Sequence, residues 1–252
     1  MNKSTNIFNS YSEFYDAFYK EKDYKKEIQY ILDLLKKFYA KTPESICDAG
    51  CGTGKHLKYL ENLISVLYGV DSSSKMIEIA KTRCNSFTKF QVGKLSSFKL
   101  PEKVESVISL FHVISYVTDS FERQESFSNI FNHLKKEGCF IFDFYYEPAV
   151  IKDPPQKRFK STTLNNVIVE RVTTPKLYKN NKLLEINWDF KVKNKNKIIK
   201  EFQEVHHMTF FSLSSLKKDL LNVGFSKILF FDWMTPLAPS DNSWYGLCIA
   251  IK

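Results

Sequence analysis

The chain is predicted to fold as an α/β protein: a mainly parallel sheet flanked by helices, with an antiparallel sheet inserted late in the sequence. Three observations carry this. Between residues 45 and 146, short apolar runs alternate with stretches of helical periodicity, the pattern of βαβ units. The first apolar run ends in a loop with glycine at every second position, 50, 52 and 54. From 161 to 211 the periodicity drops to two, broken by KNN and KNK turns, as an antiparallel sheet requires.

Taken in order, residues 7–40 read as two helices with a polar break around 20–23. In the second, Ile28, Ile31, Leu32, Leu35 and Phe38 recur at the helical period and cover a core face. SICDAG (45–50) is a buried strand, 55–62 a helix and 65–71 a second strand. The helix over 74–84 opens on a serine in capping position, with Glu78 expected in its first turn. Strands follow at 86–92, 104–111 and 138–146, the last after a helix near 121–136. EPAVIKDPPQKR (147–158) reads as a proline-punctuated crossing. Three or so antiparallel strands occupy 161–211, and a helix at 213–223 with strands at 225–232 and 244–252 closes the main sheet.

Composition excludes several classes. With 43% hydrophobic and 26% charged residues over 252 positions, the chain is an ordinary globular one. No apolar run approaches the roughly 18 residues of a membrane span. The first twenty residues lack the apolar core of an export signal, so a cytoplasmic address is expected. Five scattered cysteines without a CxxC suit free thiols rather than disulfides or a structural zinc. The net charge of +9 invites a nucleic-acid partner, yet only Arg83, Arg123, Arg158 and Arg171 among the 37 basic residues are arginines. Phosphate and base readers rely on the planar guanidinium fork, so this balance counts against nucleic acid.

The loop IleCysAspAlaGlyCysGlyThrGly (46–54) places a strand, an acid and three glycines ahead of a helix start, a geometry that admits a ligand close to the backbone. Its spacing separates the cofactor classes. A dinucleotide site wants its third glycine one residue later, and a phosphate loop wants one more residue and a hydroxyl after the lysine, where His56 stands. The second strand ends in Asp71, 17 residues beyond Gly54, where an acid accepts ribose hydroxyls. Taken together, DAGCGTG and YGVDSSSKM resemble the class I S-adenosylmethionine (SAM) dependent methyltransferases. The resemblance implies a Rossmann-like seven-stranded sheet that binds SAM, releases S-adenosylhomocysteine and needs no metal. It places Gly50, Gly52 and Gly54 along the cofactor, Asp71 on the ribose and Met76 over the adenine, with Asp48, Cys51, Ser72 and Leu110 nearby. One departure stands out: the family's Gly-Asp after the third strand is Gly93-Lys94 here, so recognition of the adenine edge falls to Lys94 or the backbone at Leu95.

The implied organisation is a helical lid over 1–40, a SAM-binding core over 41–150, the antiparallel insert over 151–211 and completion of the core sheet over 212–252. The segments around 15–27 and 203–225 further resemble amino-sugar N-methyltransferases of macrolide and surface-polysaccharide pathways. That resemblance sets Tyr15 near the sulfonium, Tyr24 near the methionine carboxylate and Phe111 beside the cofactor. It implies a small acceptor, a nucleotide-linked (amino)sugar methylated at N or O. An amino acid or other small metabolite remains open as acceptor, as does a non-catalytic SAM- or RNA-binding module. The Pro-Pro-aromatic motif of nucleobase methylation is absent after the fourth strand.

A proton must leave an amine or hydroxyl acceptor, and the candidate groups are Tyr15, His112, Tyr116 and His206. His112 follows the fourth strand directly, and Tyr116 stands where macrolide enzymes carry an active-site histidine. His206 and His207 are neighbours on one strand, so only one faces inward. No histidine has a third ligand at metal spacing. Arg158 and Arg171 are candidates to clamp a nucleotide diphosphate, and Trp244 to stack on a sugar or base. Nothing in the sequence sets an oligomeric state.

Overall fold

The protein is described by a computed structural model for Phe8 and residues 11–39, 42–195 and 197–252. Helices α1 (Ser12–Phe18) and α2 (Tyr24–Tyr39) flank the expected break, and α2 buries Ile28, Ile31, Leu32 and Leu35. Strand β1 (Ser45–Ala49) is buried along its whole length. After it come α3 (Lys55–Leu60), β2 (Val66–Asp71), α4 (Ser74–Arg83), β3 (Lys89–Val92) and β4 (Val104–Ser109). The Ser73 hydroxyl caps α4 by accepting the Met76 N–H at 3.3 Å. Counting from that cap, Glu78 falls in the second turn, not the first as expected.

Helix α5 (Ser120–His133) leads into β5 (Leu134–Tyr145). The expected boundary was later, because KKEG carries no strand signal. The chain instead enters the sheet through a bulge: Glu137 takes a left-handed φ of 62° and the pairing of β4 with β5 shifts register between Val104 and Ser106. The expected crossing at 147–158 contains a short helix, α6 (Glu147–Lys152), whose Pro148 sits in the first turn where no N–H is missed.

The insert has four strands, one more than the alternation suggested: β6 (Arg158–Leu164), β7 (Val167–Tyr178), β8 (Leu183–Asn194) and β9 (Lys197–Thr209), hairpin-paired in that order. The extra one is β6, an exposed edge strand whose polar sequence lacks an apolar stripe. Helix α7 (Leu213–Val223), β10 (Lys227–Asp232) and β11 (Tyr245–Ile251) then complete the main sheet. Its order is β10-β11-β5-β4-β1-β2-β3, with β11 alone running antiparallel to its neighbours. This is the seven-stranded sheet that the resemblance implied, with the separate antiparallel sheet beside it.

The order reverses between β1 and β4, so the carboxyl ends of these strands open a crevice. Apolar layers fill both faces of the sheet, one under α5 and α7 around Phe127, Phe140 and Leu216, the other under α2 and α3 around Ile31, Leu57 and Ile108. A third cluster joins α1 to the insert through Tyr11, Phe14, Phe18, Trp188 and Phe190. That cluster roofs the crevice. Among the described residues no helix is long and apolar enough to cross a membrane.

Candidate active site

The glycine loop is shaped by φ. Gly50 has φ 91°, and a Cβ there would lie 2.5 and 2.6 Å from the two γ-carbons of Val113. Gly52 has φ 51°, and a Cβ there would meet nothing within 4 Å: it faces open space. Asp71 ties the loop to the end of β2, its Oδ2 accepting the Gly52 N–H at 2.9 Å and its Oδ1 the Ser73 N–H at 2.8 Å. Burial raises the Asp71 carboxyl above its usual range, and those two N–H groups oppose the rise.

The open space is a cavity of about 1960 Å³. Drug-sized ligands occupy about 300–1,000 Å³, so this volume takes a cofactor and a second molecule. Gly50, Cys51, Gly52, Asp71, Ser72, Met76, Lys94, Leu95, Leu110 and Phe111 all line it. Gly54 and Asp48, expected beside them, do not: a Cβ at Gly54 would meet Ala80 and Cys84, and Asp48 lies beneath the loop, 1% exposed, with neither carboxylate oxygen hydrogen-bonded. The Lys94 side chain is 70% exposed and reaches Glu122, another residue of the cavity lining, at 3.4 Å.

The N-terminal helices contribute a polar corner of which the sequence announced only Tyr24. Tyr24 Oη is buried without a hydrogen-bond partner, while the ammonium groups of Lys22 and Lys55 lie 5.0 and 4.9 Å from its ring centre. His56 Nε2 lies 2.8 Å from Glu27 Oε2. Burial alone would raise Glu27, but the contacts from His56 and Lys22 outweigh it and hold the carboxyl low. Asp16 accepts from Thr53 Oγ1 at 2.9 Å and pairs with Lys55 at 3.5 Å and with Arg83, fastening α1 to the glycine loop.

On the opposite wall, Phe111 and His112 leave β4 with φ of 71° and 61°, a left-handed pair without glycine. Such strain persists where surroundings enforce it. Here Asp143 does so, accepting the His112 backbone N–H at 2.9 Å on Oδ1, while His112 Nδ1 lies 2.9 Å from Oδ2 without the alignment of a hydrogen bond. The imidazole is stacked between Tyr145 and Tyr245, with ring centres 4.5 and 4.4 Å away. Burial would raise Asp143, but the His112 contacts keep its carboxyl below the usual range.

Tyr15 and Tyr116 line the cavity and His206 does not, which corrects the placing of His206 at the site. The inward face of β9 at that point is covered by Trp188, whose ring centre is 3.8 Å from the imidazole. His206 is fully buried behind Phe8, Trp188 and Tyr116, all three of which line the cavity, and the Tyr116 Oη is 3.1 Å from its Nδ1. Arg158 and Trp244 stand on the rim. Arg171 is not the surface clamp expected. It is 9% exposed and caged by Tyr11, Phe18, Tyr19 and Trp188, with one N–H to Tyr11 Oη at 3.0 Å.

The family model of the methyltransferase domain matches residues 19–229. The chain belongs to that family. A curated relative, dTDP-3-amino-3,4,6-trideoxy-alpha-D-glucopyranose N,N-dimethyltransferase of Streptomyces venezuelae, is 27% identical over 80% of this chain and 84% of its own length. The chain spans about half the length of the next curated relatives it matches. Among solved structures, the sugar N-methyltransferase KedS8 from a Streptoalloteichus species superposes with a TM-score of 0.81 at 16% identity, over 100% of this chain and 95% of that one. The SAM-bound amino pentose methyltransferase CalS10 from Micromonospora echinaspora gives 0.77 at 18% identity, over 97% of this chain and 97% of that one.

The methyltransferase uses SAM, and its residues fit that cofactor. The space at Gly52 admits a ligand against the backbone, and the unpartnered Oη of Tyr24, which lines the cavity, is a polar group that a charged, amino-acid-bearing ligand satisfies. Lys22, Lys55 and His56 belong to the same corner of the methyltransferase and were missed. Lys55 and His56 open the helix after the glycine loop, where N–H groups and positive charge gather around an anion. That position was their only signal. Among the described residues no group of three or more His, Cys, Asp or Glu could hold a metal ion.

Proposed function

We propose that this methyltransferase acts on the amine of a nucleotide-linked amino sugar. The observation that carries the proposal is Arg171. It is a buried cation with no carboxylate within ion-pair reach among the described residues, on the wall that the insert gives to the cavity. An uncompensated buried charge is costly, and an anion arriving with the acceptor offsets that cost. A diphosphate bridge supplies one, with Arg158 at the rim to share it. The rings of Trp244, Tyr245 and Phe159 beside Arg158 offer stacking faces for a base or sugar. The similarity to a dTDP-amino-sugar N,N-dimethyltransferase supports nitrogen over oxygen.

Within this reading, Asp71 takes the ribose hydroxyls, Met76 and Leu95 flank the adenine, and Cys51 and Gly52 lie along the methionine part. Tyr24, with Lys22 and Lys55, takes the carboxylate. Bound there, the cofactor supplies a methyl group on a sulfonium, open to in-line displacement. Tyr15 and Phe111 then exclude water from the transfer path and fix its line, and His112, clamped by Asp143 and two rings, orients the acceptor. A cytoplasmic address belongs to the same proposal, supported by five free thiols.

The test is methyl transfer from SAM to dTDP-3-amino-3,4,6-trideoxy-α-D-glucopyranose, to the same amino sugar without its nucleotide, and to glycine, read by mass spectrometry. The nucleotide-linked compound should gain one or two methyl groups, and Arg171→Gln should raise its KM about 10–100-fold while leaving SAM affinity intact. Transfer to glycine or to the free sugar, with none to the nucleotide-linked one, contradicts the proposal.

A further inference from the structure

Behind the cavity wall, three side chains join end to end. Tyr116 lines the cavity and its Oη lies 3.1 Å from Nδ1 of His206. The other ring nitrogen, Nε2, lies 3.4 Å from Oε2 of Glu204, facing it at ion-pair distance without the alignment of a hydrogen bond. His206 is 0% exposed and Glu204 8%. Glu204 is also the anchor of the lid: it accepts the backbone N–H of Phe8 at 3.2 Å and of Tyr11 at 3.1 Å. Two ionisable groups buried this deeply are costly to keep unless they do chemistry or fix a geometry.

We propose that Tyr116 takes the proton of the methyl acceptor and passes its own to His206, with Glu204 as the positioning residue that holds the imidazole and the lid together. The proposal rests on the reading that the acceptor atom carries a proton, as an amine or hydroxyl does. The partners fix the direction of the chain. Two backbone N–H groups already donate to Glu204, so it acts as an acceptor, and Nε2 facing it carries the ring proton. That leaves Nδ1 with a lone pair, which the Tyr116 O–H can only donate to. With its hydrogen turned towards His206, the phenol oxygen presents lone pairs to the cavity.

The step balances. In an ammonium or hydroxyl acceptor, the N–H or O–H bond breaks and leaves its electron pair on the acceptor atom. The proton moves to Tyr116 Oη while the phenol proton moves to His206 Nδ1. The freed pair forms the bond to the methyl carbon as the carbon–sulfur bond breaks and its electrons stay on sulfur. The new imidazolium charge faces Glu204. The charged and titratable groups around His206 are Glu204 and His207 on β9, Arg171 on β7 and Tyr116 in the turn after β4; Phe8 and Trp188 pack beside it. Burial lowers the His206 pKa, opposed by Glu204 and reinforced by Arg171 and His207, which keeps the ring neutral and ready to accept. Burial drives the Tyr116 phenol well up, so a free phenolate is not the base and the second proton acceptor is needed. Because Glu204 also holds the chain entering α1, the relay is complete only when the lid is in place.

Histidine-selective ¹⁵N NMR of the full chain with S-adenosylhomocysteine bound tests this without any acceptor. Neutral His206 should carry its proton on Nε2, Tyr116→Phe should shift the Nδ1 resonance, and Glu204→Gln should move the protonation midpoint of His206 to lower pH. An Nδ1-protonated ring, or a midpoint unmoved by Glu204→Gln, overturns the relay. The kinetic arm uses the dTDP-amino sugar named above. Tyr116→Phe keeps the ring and its packing, and should lower kcat by about 10²–10⁴-fold with little change in KM for SAM. In Glu204→Gln the acid limb of the kcat–pH profile should follow the NMR midpoint downwards. A Tyr116→Phe enzyme with wild-type kcat at every pH also overturns the proposal. If that sugar takes no methyl group, the substrate reading fails, and the NMR result still decides the relay.

Discussion

Asp48 lies on β1 with both carboxylate oxygens buried and unbonded, and its pKa is pushed up to about 6 by burial, opposed by His56 and reinforced by Asp71. A carboxyl raised on folding imposes no cost below its unfolded pKa, and the cost grows as pH rises through the folded value. From 3.8 to about 6 the unfolded chain ionises Asp48 while the folded protein without cofactor resists. Full ionisation by about pH 7.5 costs on the order of 3 kcal/mol. Asp48→Asn should therefore gain roughly that much stability at about pH 7.5 relative to about pH 4, measured by urea unfolding without SAM. Equal effects at both pH values would remove Asp48 as a strained acid. The loop residues and Asp71 were legible because their spacing separates one cofactor class from two others. His206 was misplaced for a physical reason: alternation along β9 says which residues turn inward, but not whether the inward side is cavity or core. Trp188 made it core.

The lid is held at both ends by few bonds, which makes it the element most open to change. Helix α1 has seven residues and no side-chain N-cap, so it depends on its contacts rather than on its own propensity. Those contacts include Glu204 at its start, Lys200 pairing with Glu13 at 2.6 Å, Thr162 Oγ1 donating to Ala17 O at 3.1 Å and Lys160 to Phe18 O at its end, and Asp16 on the glycine loop. Asp16→Ala should weaken SAM binding about tenfold and speed amide exchange across residues 12–18, while the main sheet stays protected. Unchanged exchange in that helix would show that Asp16 does not fasten it. Tyr11, Tyr15 and Tyr19 recur at helical spacing, and the structure divides them: Tyr11 is fully buried while Tyr15 and Tyr19 line the cavity. Strand β6 and helix α6 were not legible, because an exposed edge strand has no apolar stripe and a six-residue helix has no period to read.

At the scale of the molecule, one sheet supplies the loop that holds the cofactor and the other supplies Arg171, Trp188 and the Glu204 anchor. Aromatic residues of α1 pack between them, so the cavity has walls from both. The alternation of strands and helices over 45–146 made the main sheet legible, since each βαβ unit repeats a local pattern. The relation between the two sheets was not, because it depends on contacts between residues more than 150 positions apart, such as Tyr11 with Glu204 and with Arg171. The central claim is that SAM binds across the glycine loop with its ribose on Asp71. Calorimetric titration of SAM into the wild type and into Asp71→Ala tests it most directly. The account predicts a loss of about 1.5–3 kcal/mol, a Kd roughly 10–150-fold higher, in a variant that still unfolds cooperatively. An Asp71→Ala protein that binds SAM as tightly as the wild type would contradict it.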